Sequence, residues 1–410
     1  MAETWRRATL DAACLNITDG SHYSPQTSTT GFPYVTVRNL GSRGIDFESC
    51  EGVDERSFLE LQRAGCSPEP GDVLFSKDGT VGKVAVNDSD RKFVVLSSLA
   101  ILRPNKQLLG PAFLGLVLSS EAFQHAATQE KTGLAIKRVV LKNLRAMEIP
   151  VPPLPVQRRI VDLVGALDTQ IEVLTSEATA IGQYRVSLRE ALMSSDASWQ
   201  DSSWSEVVTR TTGISYASGD LASHGEGLPF INLKSIGRGG GYRPEGLKWY
   251  RGAYKNSQVV RAGELLIANT DLTRDKAILG CPAIVPNLPD FGRACISLDV
   301  SRVVPDPTRL LTGFLYEFLQ LASSRDFMKT HSSGTTVMHL KTKELVDLRV
   351  RYPGLADQQE IAVTLGRIED LSAALSHEED RLHAIRGCLA TALLGRDIEI
   401  PESYDTLLAV

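Results

Sequence analysis

Residues able to do covalent or metal chemistry occur in this chain, but none are gathered in a working pattern. There is no G-x-x-x-x-G-K-[ST] phosphate loop, no H-E-x-x-H pair and no G-x-S-x-G elbow. Gly237-Arg-Gly239-Gly-Gly241 superficially resembles a dinucleotide loop, yet no helix is expected to follow it and receive a phosphate, so it reads as a surface loop. No Asn-Pro-Pro-aromatic segment of the kind amino-methyltransferases use is present, and no acidic pair with a lysine stands out as a nuclease centre. The seven histidines are dispersed. The six cysteines (Cys14, Cys50, Cys66, Cys281, Cys295, Cys388) lack a CxxC pair and are expected as free thiols. The expectation is a binding protein with no catalytic residue, no metal site and no cofactor of its own.

The charge distribution points to one class of partner. The chain carries a net charge of −5, which argues against a polyanion. That balance is uneven, because residues 356–410 hold eleven acidic and four basic side chains. Residues 234–261 hold seven basic residues against Glu245, and 130–145 hold five against Glu130. Local basic patches matter more to a polyanion than the total does.

The elements that must position such patches are written twice. Gly31-Phe-Pro-Tyr-Val-Thr-Val-Arg-Asn-Leu40 returns as Gly227-Leu-Pro-Phe-Ile-Asn-Leu-Lys-Ser-Ile236, and Pro70-Gly-Asp-Val-Leu-Phe-Ser76 as Ala262-Gly-Glu-Leu-Leu-Ile-Ala268. Farther along the offset locks at 201: Gly133 maps to Gly334, Pro152 to Pro353, Gln157 to Gln358 and Ile160 to Ile361. Each half opens with short strands, in the first half at 33–40, 72–76, 81–86 and 93–102. An apolar helix over 111–128, a Gly-bearing loop, a short helix at 141–146 and a strand ending at Val151 follow. Pro152, Pro153 and Pro155 stop that strand, since proline has no amide to give a ladder.

Each half then ends in a long helix. Ile160, Val164, Leu167, Ile171, Leu174, Ala178, Ile181, Leu188 and Leu192 repeat in alternating steps of four and three, with Arg185 breaking the seam. Ile361, Leu365, Ile368, Leu375, Leu382, Leu389 and Leu393 keep the same register, interrupted by Ser372, Glu379 and Arg386. Matched heptads in duplicated halves predict that the two helices pack on each other. Some 35–40 residues would form a rod of roughly 50–60 Å. The predicted fold is α+β with a pseudo-two-fold internal repeat. Two similar domains of mixed or antiparallel sheet with short helices are joined by two long antiparallel coiled-coil helices. The boundaries expected are 1–153, 154–196 for the central helix, 197–354, 355–396 for the distal helix, and an acidic tail at 397–410.

Over nearly its whole length the chain resembles the specificity subunits of type I restriction–modification systems. The strongest piece is Met147-Glu-Ile-Pro-Val-Pro-Pro-Leu-Pro-Val-Gln157-Arg-Arg-Ile160, echoed by Leu355-Ala-Asp-Gln-Gln-Glu-Ile361. Ile17-Thr-Asp-Gly-Ser-His22, Gly71-Asp-Val-Leu-Phe-Ser-Lys-Asp-Gly-Thr-Val-Gly-Lys83 and Ser332-Ser-Gly-Thr-Thr-Val337 support it. The resemblance implies two target-recognition domains, each reading a short half-site of double-stranded DNA, with a fixed unspecified gap between half-sites. It implies that the helices dock methyltransferase subunits, two per chain, that restriction or translocase subunits can join, and that S-adenosylmethionine and ATP bind those partners. A cytoplasmic protein with no membrane partner is expected. The second half departs from the pattern, carrying Asn269-Thr-Asp-Leu-Thr-Arg-Asp-Lys276 in place of the Gly-Thr-Val-Gly-Lys loop and Pro-Gly-Leu in place of Pro-Pro-Leu.

With that resemblance in place, the candidate DNA contacts of the first domain are Ser21, His22, Tyr23, Lys77, Thr80, Lys83, Lys137 and Arg138. Those of the second are Arg243, Lys248, Tyr250, Arg251, Asn269, Thr270, Arg274, Lys276, Thr335, Thr336 and His339. Lys and Arg supply charge to phosphates, whereas Asn269 or Arg274 could meet base edges. Solvated lysines and packed aromatics are the ordinary alternative for these residues. For the whole chain, the competing readings are a coiled-coil adaptor binding protein or carbohydrate, and a cryptic nuclease or methyltransferase.

Overall fold

The computed structural model describes residues 5–41, 44–129, 138–194, 197–288 and 292–408. The chain divides into two compact units, residues 1–175 with 377–410 and residues 176–376. Each unit therefore combines one mixed domain with one half of each long helix, the central helix Leu154–Leu192 and the distal helix Leu355–Gly395.

In the first unit a four-stranded antiparallel sheet runs in the order Cys14–Asp19, Leu99–Pro104, Val73–Ser76, Val84–Val86. Phe32–Val35 pairs antiparallel with Glu51–Val53 and parallel with Val94–Val95. Arg6–Thr9 pairs with Glu148–Val151. The second unit repeats the plan: Val208–Thr212, Val300–Pro305, Leu265–Ala268, Pro282–Ile284 in the same order. It also has the parallel pair Leu228–Ile231 with Ala294–Ile296, and Gln200–Ser203 with Arg349–Tyr352. Three short strands, Leu221–Ala222, Lys248–Tyr250 and Val259–Val260, widen its second sheet to five. Gly31 and Gly227 stand at φ 113° and 95° just before the twin strands, where an added Cβ would lie 2.3 and 2.2 Å from a backbone oxygen. Only glycine fits there.

The expected apolar helix over 111–128 is two helices, Pro111–Ser119 and Glu121–Gln129. Ser120 makes the break: it turns extended, and its Oγ accepts from the Phe123 amide at 3.3 Å as an N-cap. The first of these helices is apolar nearly all round and buries Phe113, Leu114, Leu116, Val117 and Leu118. The expected strand over 93–102 is likewise two, Val94–Val95 and Leu99–Pro104.

In each unit the long helices pack in antiparallel fashion. In the first, Asp168 meets Arg386 and Thr175 meets Glu379, so residue numbers fall along one helix as they rise along the other. Ile160, Val164, Ile171 and Leu174 are buried there, while Leu167, Leu382 and Leu389 are half-buried. In the second unit Ile361 and Leu365 are buried, and Ile181, Leu188, Ile368 and Leu375 are half-buried. The charged interruptions of the seam are answered across it. Arg185 pairs with Glu369 at 2.9 Å, Arg386 with Asp168 at 2.7 Å, and Glu379 accepts from Thr175 Oγ1 at 2.7 Å.

The acidic segment after the distal helix is docked in the first unit. Arg159 binds Asp405 through Nε and Nη2 at 2.7 and 2.8 Å, and Tyr404 donates to Asp162 at 2.5 Å. The hydrogen bonds from Arg159 hold the Asp405 carboxyl below its usual range, and Asp162 pushes the Tyr404 hydroxyl above its own. Among the described residues no helix is long and apolar enough to cross a membrane.

A buried glutamine locks each long helix to its domain. Gln157 Oε1 accepts from the Gly110 amide at 2.8 Å, and its Nε2 donates to the carbonyls of Leu108 and Pro152 at 2.7 and 2.8 Å. Gln358 does the same with the Leu311 amide at 2.8 Å and the Arg309 and Pro353 carbonyls, both at 2.9 Å. An amide side chain supplies both the donors and the acceptor that these buried loops require. Gln157→Ala leaves three backbone groups unpaired and is expected to cost about 2–4 kcal/mol. A denaturant melt that shifts by less than about 1 kcal/mol would show that water replaces the side chain.

Candidate nucleic-acid interface

In the first unit, three loops meet at one end of the four-stranded sheet. Gly20 follows the strand Cys14–Asp19 and passes so near Val95 that a Cβ would lie 2.1 Å from its carbonyl oxygen. The backbone of Ser21 is then tied on both sides, its amide to Val95 O at 2.8 Å and its carbonyl to the Ser97 amide at 2.9 Å. The Lys77 amide binds Ser98 O, and its carbonyl takes the Val139 amide, both at 2.8 Å. Asp19, His22, Lys77, Asp78 and Arg138 are thereby gathered from distant parts of the chain.

They form an ion network. Lys77 Nζ lies 3.2 Å from Asp19 and 3.0 Å from Asp78, Arg138 Nε lies 3.1 Å from Asp78, and His22 Nε2 lies 3.3 Å from Asp19. The Lys77 side chain is 1% exposed, so it does not offer surface charge as the sequence reading expected: it holds the two carboxylates together. Lys83 is committed too, its Nζ donating to Val37 O at 3.0 Å and Leu40 O at 2.7 Å. Ser21 is buried with its hydroxyl on the Tyr23 carbonyl. The groups that face solvent are His22, Tyr23, Thr80 and the half-exposed Arg138. Lys137 lies outside the described residues.

The same place in the second unit has different chemistry. Gly213 also approaches a carbonyl, Ser297 O, to 2.1 Å from an added Cβ. Where the first unit has Lys77, the second has Asn269, buried between Leu298 O at 2.9 Å and the Ser301 hydroxyl at 2.9 Å. Thr270 is buried on Asp299 at 3.0 Å. Asn269 and Thr270 thus support the loop instead of facing outward, because their polar atoms are consumed by neighbours. Arg210 joins them, donating to Thr212 at 2.8 Å and Ser301 at 2.7 Å, and burial pulls its pKa down.

Asp271 shapes this loop. It is fully buried and accepts from the Thr273 amide at 2.7 Å, Thr273 Oγ1 at 2.6 Å, the Ile278 amide at 2.6 Å and the Leu279 amide at 3.3 Å. Burial alone would raise its pKa, but these hydrogen bonds outweigh it and hold the carboxyl below its ordinary value. Thr270–Asp271 pairs with Met338–Leu340, which pairs with Ser332–Ser333. That hairpin exposes Thr335, Thr336 and His339 beside the loop. Arg274 is exposed, while Lys276 reaches the Lys329 carbonyl at 2.8 Å.

The basic-aromatic stretch divides by residue type. Tyr250 is buried, stacked on Phe230 at 4.9 Å with its hydroxyl on Ala253 O, so packing takes the ring that stacking on a base would need. Arg243 and Arg251 are exposed, Arg243 lying 3.7 Å from Glu245, and Lys248 is half-buried. Sequence reasoning missed Asp19, Asp78, Asp271 and Arg210. The Thr-Asp-Gly of the first half is plain in the sequence, but the part Asp19 plays depends on Lys77 reaching it from another loop. Among the described residues, no group of three or more His, Cys, Asp or Glu is placed to hold a metal ion.

Comparison with known proteins bears on both the loops and the helices. A family model described as the type I restriction modification DNA specificity domain matches residues 30–182. Two proteins of Methanocaldococcus jannaschii align along most of the chain. One is a putative type I restriction enzyme MjaX specificity subunit, 21% identical over 90% of this chain and 88% of its own length. The other is the MjaVIII specificity subunit, 20% identical over 90% and 86%.

The chain is similar along most of its length to type I restriction–modification specificity subunits. Solved structures share its fold. A chain from a structure of type I R-M complex assembly and conformational transition superposes with a TM-score of 0.58 at 20% identity, covering 96% of this chain and 98% of that one. The S subunit from M. genitalium gives 0.56 at 16% identity, covering 95% and 96%.

The buried carboxylate of Asp271 gives a pH signature. Because its folded pKa is depressed, Asp271 contributes stability above the ordinary carboxyl range, and that contribution is lost as pH falls through the lowered value. Asp271→Asn is expected to lower Tm at pH 7, with the gap to the parent protein narrowing below about pH 4. A gap that stays constant across that range would remove the charge from this account.

Proposed function

We propose that this chain is a specificity subunit that reads a bipartite double-stranded DNA target through the two loop clusters, and does no chemistry itself. The observation that carries this is the pairing of equivalent loop platforms with unlike groups. The first unit offers His22, Tyr23, Thr80 and Arg138 around an ion network, and the second offers Arg274, Thr335, Thr336 and His339 around an amide and hydroxyl network. Unlike readers on like platforms suit two different half-sites. In the first network two cations are matched by two carboxylates, so it presents directed donors more than net charge. Arg138, held at Nε by Asp78, would turn its terminal nitrogens to guanine O6 and N7, the bidentate contact that reads a base. Arg243 and Arg251 would meet phosphates. Because continuous helices tie the readers together, the gap between half-sites would be constant.

Methyltransferase subunits, two per chain, would dock on the long helices, with restriction or translocase subunits joining that assembly. S-adenosylmethionine and ATP would bind those partners. Support comes from large apolar side chains exposed on the helices: Val173, Tyr184 and Val186 on the central one, Leu371 and Ile385 on the distal one.

Target selection with the assembled complex tests the reading. Arg138→Ala should weaken binding by about 1–3 kcal/mol and relax one position of one half-site, leaving the other half-site unchanged. Lengthening both helices by one heptad should change the gap and neither half-site. Binding that is insensitive to salt and sequence would favour a protein- or carbohydrate-binding adaptor. Tyr184→Glu should abolish co-purification with the methyltransferase subunit without changing Tm. Retained co-purification would move the docking site elsewhere.

A further inference from the structure

The two junctions where a long helix ends against a mixed domain use equivalent residues with opposite chemistry. In the second unit Glu317, buried on the helix Thr312–Phe318, receives Arg185 Nη2 at 2.6 Å and Arg189 Nε at 2.7 Å from the central helix. Arg185 also binds Glu369 at 2.9 Å and Leu365 O at 3.2 Å. Arg189 reaches Gln320 at 3.3 Å, and Tyr316 donates to Glu369 at 3.1 Å. The residues 201 positions away form the first unit's junction, where Leu116 stands for Glu317 and Ala390 for Arg189. Leu116 and Ala390 are 8% and 4% exposed and belong to an apolar core. Of the ionic set, only the Arg386–Asp168 pair has its counterpart, Arg185–Glu369.

We infer that this asymmetry decides which helix end each domain accepts. The Glu317 socket takes the Arg185–Arg189 end of the central helix and rejects the Ala390 end of the distal helix, while the Leu116 surface does the reverse. The competitor is a second copy of this chain, whose matching heptads could otherwise pair like with like. Charge counting makes the selection. Arg386 and Ala390 set against Glu317 and Glu369 would leave two carboxylates for one guanidinium. Arg185 and Arg189 set against Leu116 and Asp168 would leave two guanidiniums for one carboxylate. A buried ion without its partner disfavours each mismatch by about a hundred-fold or more. Burial raises the Glu317 pKa despite two arginines, as expected of a charged contact kept for selectivity more than for strength.

The test uses the full-length chain with a protease site inserted between the repeats, nicked after folding so that both pieces remain together. The nicked protein is equilibrated in urea near its midpoint, returned to buffer, and its pairs are counted by native mass spectrometry. The parent sequence should return one first piece with one second piece. The double variant Glu317→Leu with Arg189→Ala gives both junctions the same leucine–alanine contact beside one ion pair each, and should raise like-with-like pairs by about ten-fold or more. Like pairs in statistical proportion from the parent, or a double variant as selective as the parent, would overturn the inference. If the pieces precipitate, thermal melts of the intact chain decide. Each single variant should lower Tm and the double variant should recover most of the loss, whereas additive losses would overturn it.

Discussion

Neither repeat closes its own core. The apolar core of the first unit includes Ala390 and Leu393 from the distal helix, with Leu389, Leu394 and Ile400 packed against it. The core of the second includes Met193, with Leu188 and Leu192 against it, all preceding the second mixed domain in sequence. Burying side chains of this size contributes about 1.5–3 kcal/mol each. Each domain therefore depends on a helix end from the other repeat, and the loops at the sheet ends are held on a scaffold both repeats must complete.

The glutamine clamps work at the opposite end of each helix. Gln157 and Gln358 fix where the helix leaves its domain, and the seam fixes what it meets farther on. The charged residues that break the heptads belong to this device. Arg185, Arg386 and Glu379 each find an answering group on the partner helix, so the seam gains a register that apolar contacts alone would leave loose.

At the loop clusters the same logic separates support from reading. Lys77, Lys83, Asn269 and Thr270 are consumed by neighbouring carboxylates, carbonyls and hydroxyls. They hold short loops in shape, leaving His22, Tyr23, Thr80, Arg138, Arg274, Thr335, Thr336 and His339 to face solvent. Loops that are rigid underneath present outer groups at lower entropic cost.

The duplication, the succession of short strands and helices repeated in both halves, and the two long helices were legible in the sequence, because each rests on local patterning or on repetition at a fixed offset. The resemblance to specificity subunits, too, was carried by motifs that survive as strings, above all Pro-x-x-x-x-Gln before a heptad. Which cations face solvent could not be read that way, since Lys77 and Arg138 have similar charge and are sorted only when the Asp19 loop and the Arg138 segment close around Lys77-Asp78. Nor could the break at Ser120, where one hydroxyl caps a second helix, or the Glu317 socket, whose arginines lie more than a hundred residues away. Local sequence determines what each segment can form; the meeting of distant segments decides which polar groups are used up inside and which are left to act.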